Sequence, residues 1–300
     1  MLRLGVDFGG TKIEAAALAP NGDVVARVRR PNPRQYEAAL STVRELVETI
    51  EAGTSVRFER IGMGIPGSIS PHTGLIRNAN SVMLNDRPLQ ADVEAALGRQ
   101  VRLTNDANCM ALSEATDGAA AGARCAFGVI IGTGCGGGVA LEGRPWDGAN
   151  GIAGEWGHAP LPWPTPDEYG SRPCWCGRKD CIETFVSGTA FVEDYARATG
   201  QSLDGASIVA AARAGEAAAI ANLDRYIDRL GRALAVICDI LDPDAVILAG
   251  GMSNVDELYD RLPAVVGTHV FSDGFDTPIR QAAHGDSSGV RGAAWLWPLD

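Results

Sequence analysis

The sequence predicts an α/β protein built from two similarly organised halves. Three observations lead there. Short apolar runs at 2–8, 61–65, 101–104, 126–131 and 245–249 alternate with longer segments of helical period. Each half opens in the same way, as a strand, a Gly-rich turn and a second strand: Gly9-Gly10 in the first half, the run at 132–138 in the second. The 300 residues are 46% hydrophobic, enough for a sizeable core, and 21% charged, unlike a disordered chain.

In order, residues 2–8 read as a strand, followed by strands at 13–18 and 24–29. Asn21-Gly22 between the last two is a hairpin signal. Leu40, Val43, Val47 and Ile50 recur at helical spacing, so 35–51 reads as a helix. Strands at 61–65 and 101–104 follow, the first ended by Pro66-Gly67. The second leads through Asn105-Asp106 into a helix reaching about 114. Small residues at 119–122 form a joint, and the chain divides into an N-terminal lobe, 1–117, and a C-terminal lobe, 118–300.

The second half starts with strands at 126–131 and 138–141. A long loop at 143–180 carries Pro160, Pro162, Pro164 and Pro166. Helices are expected at about 181–198 and 216–241, the latter with Ile220, Leu223, Ile227, Leu230, Leu234, Ile237 and Leu241 on one stripe. A strand at 245–249 runs into Gly250-Gly251. A last helix at about 287–298 is expected to pack back on the N-terminal lobe.

A net charge of −11 argues against a broad nucleic-acid or anionic-membrane surface. No apolar run reaches membrane-spanning length, and the N-terminus enters a strand pattern with no signal-peptide pattern. Cys109, Cys125, Cys135 and Cys238 show no pairing pattern, which suits a reducing compartment and favours the cytoplasm.

Gly-Glu-Trp-Gly-His at 154–158 precedes Cys-Trp-Cys-Gly-Arg-Lys-Asp-Cys-Ile-Glu at 174–183. His158, Cys174, Cys176 and Cys181 are one imidazole and three thiols, a set that suits Zn²⁺ in a closed tetrahedral site. Ordinary buried thiols are the plainer alternative. Four protein ligands would leave no open position for water, so the metal is read as structural. Glu155 and Glu183 flank the ligands and would be held in fixed places, as a polyol pocket requires.

Gly5-Val-Asp-Phe-Gly-Gly-Thr-Lys12 can be a plain hairpin turn or an anion nest. In the second case successive N–H groups face a phosphate, Asp7 orients a magnesium-bound water, and Thr11 and Lys12 reach phosphate oxygens. It is not a P-loop. Gly132, Gly134 and Gly137 fit the Gly-x-Gly-x-x-Gly spacing of a dinucleotide-binding dehydrogenase, but a strand and not a helix follows. Asp106, between strand and helix, is either a helix cap or a general base facing a cleft. Gly250-Gly251 either turns the chain or lets backbone approach an adenine or ribose. Asn78 and Asn80 serve a turn or recognise hydroxyls.

Taken together, the chain resembles the ROK family of sugar kinases, in the actin-like (sugar kinase, Hsp70, actin) ATPase superfamily. The resemblance rests on Val6-Asp-Phe-Gly-Gly-Thr-Lys12, Gly64-Ile-Pro-Gly67, Asn105-Asp-Ala-Asn108, Ile131-Gly-Thr-Gly134, Gly154-Glu-Trp-Gly-His158 and the cysteine segment ending at Glu183. It implies an actin-like ATPase fold, α/β, with two lobes and a nucleotide and sugar cleft between them. It implies Asp106 as catalytic base, and Gly67, Asn80, Asn105, Glu155, His158 and Glu183 as sugar contacts. ATP would be bound by Asp7, Gly9, Gly10, Thr11, Lys12, Gly132, Thr133, Gly134, Gly136, Gly137, Gly250 and Gly251, with Mg²⁺.

Within the family, Asn78-Ala-Asn-Ser81 with Asn85, the run from Gly154 to Trp163, and the segment from His284 to Trp295 look most like bacterial fructokinases of the mannokinase type. The expected reaction is phosphoryl transfer to fructose O6, mannose and glucose being further candidates. The alternative is an N-acetylglucosamine or glucose kinase. A non-catalytic sugar sensor is the rival of another class. The family's DNA-binding repressors carry a helix-turn-helix before the first strand, which is not expected here. The resemblance implies a homodimer.

Overall fold

The structure is a computed structural model and describes residues 1–170 and 172–298. It separates into two compact units. One comprises Met1–Arg124, Gly138–Gly154 and Ala283–Asp300; the other comprises Cys125–Gly137 and Glu155–Ala282.

The first unit is built on a sheet of β1 (Arg3–Phe8), β2 (Lys12–Leu18), β3 (Val24–Pro31), β4 (Arg60–Ile65) and β7 (Gln100–Asn105), ordered β3-β2-β1-β4-β7. β1, β2 and β3 are antiparallel and β1, β4 and β7 are parallel. Gly22, with φ of 87°, closes the β2–β3 hairpin, as the Asn21-Gly22 pair predicts. A two-stranded ladder of β5 (Ser68–Ile69) and β6 (Ile76–Arg77) follows β4.

Side-chain alternation decides what covers this sheet. Leu4, Val6 and Phe8 of β1 and Ile61, Met63 and Ile65 of β4 share one core with Ala39, Val43, Leu46, Val47 and Ile50 of α1 (Tyr36–Thr54) and with Leu89 and Val93 of α2 (Leu89–Leu97). The positions between are Gly5 and Asp7 in β1 and Gly62 and Gly64 in β4. A Cβ on Gly62 would stand 1.8 Å from the Ala293 carbonyl oxygen. The three glycines therefore admit α9 (Ser288–Trp295) against the sheet backbone. Gly292 repeats the device against Cys109 of α3 (Asp106–Asp117), where a Cβ would come 1.7 Å from the Cys109 oxygen. Glu114, fully buried at the end of α3, accepts from the N–H groups of Ala119, Ala283 and His284 and from Ser288 Oγ.

The second sheet is ordered β10-β9-β8-β11-β12, from β8 (Cys125–Ile131), β9 (Cys135–Leu141), β10 (Arg144–Pro145), β11 (Ala245–Ala249) and β12 (Ile279–Gln281). β8, β11 and β12 are parallel. The second unit holds α4 (Glu183–Val186), α5 (Gly188–Thr199), α6 (Gly205–Arg213), α7 (Ala217–Leu241) and α8 (Glu257–His269). The expected single helix over 181–198 is two. Ser187 is extended (φ −71°, ψ 160°) and its side chain caps α5 at the Ala190 N–H, 3.1 Å away.

Three helices lie outside the predicted ranges. α2 and α6 bury only two residues each, and α8 contains Pro263, so none has a strong periodic signal. Leu258, Leu262 and Val266 nevertheless give α8 a buried stripe at four-residue spacing. The proline-rich loop is ordered by charge. Glu168 accepts from Arg229 Nε at 2.6 Å and Arg232 Nη2 at 3.0 Å, and Arg232 also donates to the carbonyls of Pro162 and Trp163. Burial pushes the Glu168 carboxyl up, but hydrogen bonds from Arg229, the Thr165 N–H and Arg232 outweigh it and hold it at about 2.

Candidate functional site

In the first unit, β7 delivers Asn105 and Asp106 to the start of α3. Asn105, not Asp106, is the N-cap: its Oδ1 accepts from the Ala107 N–H at 2.9 Å while its Nδ2 donates to the Gly67 carbonyl at 3.0 Å. The cap duty that competes with a catalytic role for Asp106 is thus covered by its neighbour. Asp106 is half-buried, and its Oδ1 also receives the Ala107 N–H at 2.8 Å.

Gly67, with φ of 75°, sits where a side chain would strike Arg77 and Ala79 backbone at 2.4 to 2.8 Å. Asn80 is exposed on the segment next to it. On both sides of Asn105-Asp106, Thr104 Oγ1 (2.5 Å) and Asn108 Nδ2 (2.9 Å) donate to Asp147 Oδ1, and Asn108 Oδ1 accepts from the Val139 N–H at 3.0 Å. Asp147 carries no motif of its own, and only its approach to β7 and α3 reveals it.

In the turn at 9–11 neither Gly9 nor Gly10 has a left-handed φ. Gly9 is required by closeness instead, since its Cβ would lie 2.8 Å from the Lys12 oxygen. Asn32 braces the turn from behind. Its Nδ2 donates to the Gly9 carbonyl at 2.8 Å, and its N–H donates to the Thr11 carbonyl at 2.9 Å. Thr11 is exposed and Lys12 half-buried.

Asp7, beside this turn, faces Glu14 across the β1–β2 ladder. Burial pushes the Asp7 carboxyl up to about 7; Asp106 and Glu14 add to this against Lys12 and Arg29. Glu14 is fully buried and held by Arg27 and Arg29.

In the second unit, Glu155 and His158 lie on the 3₁₀ turn Glu155–His158. Two residues between them nail the turn to β9. Trp156 donates from Nε1 to the Gly136 carbonyl at 3.0 Å and meets Phe127 edge-on. Gly157 lies so close that a Cβ would stand 2.2 Å from the Cys135 oxygen. Glu155 is left exposed and His158 half-buried.

His158 joins Cys174, Cys176 and Cys181 in one cluster whose ligand atoms all lie within 4.8 Å of one another. Cys174 Sγ is 3.6 Å from His158 Nδ1, and Cys176 Sγ is 3.6 Å from Cys181 Sγ. Metal–sulfur bonds of about 2.3 Å in a tetrahedron set sulfur–sulfur edges of about 3.8 Å, so these four residues fit a zinc ion. All seven cysteines are free thiols.

Glu183 ties this cluster to the Gly-rich turn. Its Oε1 accepts from Trp175 Nε1 at 2.7 Å, between two of the cysteines, and its Oε2 accepts from the Cys135 N–H at 2.9 Å. Gly132 and Thr133 offer their carbonyls to the start of α5, at Gly188 N (2.7 Å) and Thr189 Oγ1 (2.8 Å). Gly134 faces Glu183. Gly136 and Gly137 belong to β9 and not to the turn, which is shorter than the glycine run suggests. Gly250, with φ of 86°, packs on Ile131, and Gly251 opens the next turn.

Residues 3–299 match the ROK family, and the chain belongs to it. The fold is the actin-like ATPase fold of that family. The chain is 38% identical to the N-acetyl-D-glucosamine kinase of Pectobacterium atrosepticum, over 99% of both chains. It is also 38% identical to the N-acetyl-D-glucosamine kinase of Vibrio cholerae, over 97% of this chain and 98% of the relative. Among solved structures, the ROK hexokinase from Thermus thermophilus is similar at a TM-score of 0.88 and 31% identity, over 99% of this chain and 97% of that one. A ROK family glucokinase from Streptomyces griseus, in complex with glucose and AMPPNP, is similar at a TM-score of 0.78 and 27% identity, over 99% of both chains. Among the described residues, no helix is long and apolar enough to cross a membrane.

Proposed function

We propose that this chain is an ATP-dependent hexose kinase and that N-acetyl-D-glucosamine is its leading substrate. The observation that carries this is the end-to-end similarity to kinases of that sugar. It favours the alternative weighed in the sequence over fructose. Fructose is the second reading, supported by the motifs around Asn80, Trp163 and Trp295.

Asp106 takes the proton of the sugar's O6 hydroxyl as that oxygen attacks the γ-phosphorus and ADP leaves. Asn105 and Asn80 bind sugar hydroxyls within the first unit, and Gly67 keeps Asn105 in position through its carbonyl. Glu155, His158 and Glu183 are further hydroxyl partners. Backbone at Gly9, Gly10, Thr11, Gly132, Thr133, Gly134, Gly136 and Gly137 serves the phosphates together with Lys12. Asp7 serves the Mg²⁺ that arrives with ATP, and Gly250-Gly251 the adenosine.

Zinc, when bound by His158, Cys174, Cys176 and Cys181, supplies a structural cross-link. With Nδ1 of His158 toward the thiols, Nε2 is left to donate to a hydroxyl. A cytoplasmic homodimer completes the proposal, supported by the family resemblance and the free thiols.

The test is phosphoryl transfer from MgATP with N-acetylglucosamine, glucose, mannose and fructose. The highest kcat/KM is expected on N-acetylglucosamine. A tenfold preference for fructose establishes the second reading. Sugar binding without any ADP release makes the protein a sensor and overturns the kinase.

A further inference from the structure

We propose that Asn85 is the positioning residue that sets both the sugar-binding Asn80 and the cap of the catalytic base. This deepens the kinase reading and rests on it. Asn85 follows the 3₁₀ turn Val82–Leu84. Its carboxamide closes on a single residue: Oδ1 accepts from the Ala79 N–H at 2.9 Å, and Nδ2 donates to the Ala79 carbonyl at 3.0 Å.

The local turn does not need that side chain. It is closed by backbone alone, from Leu84 N to the Ser81 carbonyl and from Asn85 N to the Val82 carbonyl. The two carboxamide bonds instead hold Ala79 as a neighbouring strand would, satisfying both main-chain groups of a residue that is buried and belongs to no strand.

Ala79 stands between Asn78, whose φ of 57° is left-handed, and Asn80. A segment with one residue in αL and the next bound at both ends has little freedom left. Ala79 is also the wall against which Gly67 rests: a Cβ on Gly67 would lie 2.7 Å from the Ala79 nitrogen and 2.8 Å from its Cα. Gly67 in turn accepts from Asn105 Nδ2 at 3.0 Å, and Asn105 caps the helix that begins at Asp106. Asn85, Ala79, Gly67 and Asn105 therefore form one continuous contact path that ends at the base, within one unit. No periodic or spacing signal in the sequence marks residue 85 for this role.

The experiment compares wild type with Asn85→Ala and the milder Asn85→Ser. It measures KM for each substrate, kcat, and backbone amide exchange of the ligand-free proteins. The expected result is a rise of tenfold or more in sugar KM and a several-fold fall in kcat, with ATP affinity changed less than threefold. Amide exchange should accelerate over residues 76–82 and over 104–108, and should stay unchanged across the second unit. A sugar KM within twofold of wild type, or equal rises for sugar and ATP, overturns the proposal. Unchanged exchange over 104–108 overturns the link to the base. If wild type phosphorylates no hexose, the kinase reading fails, and the exchange data still decide whether Asn85 couples the two segments.

Discussion

Asp7→Asn should make the ligand-free protein more stable and far less active, and the gain should depend on pH. In the folded chain the Asp7 carboxyl titrates near 7, against an ordinary value of 3.8, because burial and the charges of Asp106 and Glu14 disfavour its ionised form. Between those two values the folded state keeps a proton that the unfolded state has released. Raising the pH across this window therefore weakens the fold, and above it the loss is complete. Three pH units at about 1.4 kcal/mol each is about 4 kcal/mol. Asp7 retains some solvent contact, so about half of this is expected.

Asparagine has nearly the same shape and no charge to bury. Its advantage over wild type should be near zero at pH 4, grow through pH 5 to 7, and level off above. A gain of about 2 kcal/mol corresponds to roughly 4–8 °C in Tm for a unit of this size. Thermal melts of both proteins from pH 4 to 8, without ATP or Mg²⁺, supply the difference, in which the other titrating groups cancel. A Tm difference that does not vary with pH, or a variant less stable than wild type at pH 8, refutes the reasoning. Kinase assays on the same samples should show a large loss of turnover at saturating sugar.

Asp106→Asn should fold normally, because Asn105 caps the helix and the new side chain still accepts from the Ala107 N–H. Turnover should fall about 10²- to 10⁴-fold with little change in sugar KM, and near wild-type turnover would move the base elsewhere. Cys176→Ser should abolish zinc binding, read as metal content per chain, and raise sugar KM at least tenfold. ATP affinity should also weaken, to a smaller degree, because Glu183 joins the cysteine segment to the Cys135 N–H. Wild-type protein without zinc but with full activity would refute the structural role.

The candidate metal cluster was legible because its parts are local. The Cys and His residues lie within 24 positions of one another and converge on a single cluster. Asn105-Asp106 stands at a strand-to-helix junction, where backbone geometry forces a cap. The hairpin at Asn21-Gly22 and the stripe of α7 follow from periods that a short window contains. What the residue types alone left open, the identity of the cap at Asn105, was settled by which carboxamide reaches the Ala107 N–H.

Other features have no signature along the chain. Asp147 on Thr104 and Asn108, Asn32 on Gly9, and Glu183 on Cys135 are each a side chain bound to a partner that only folding brings near. At Gly9 the packed strands require glycine for close approach to the Lys12 oxygen, a contact that no local pattern announces. Sequence by itself determined the main strands and the long helices, the residues able to bind metal and the family, because repeating hydrophobic periods and clustered ligands are properties of neighbours. Tertiary structure alone decided which polar side chains brace those residues, because a single hydrogen bond between distant segments depends on the register and packing of the whole unit, not on any local pattern.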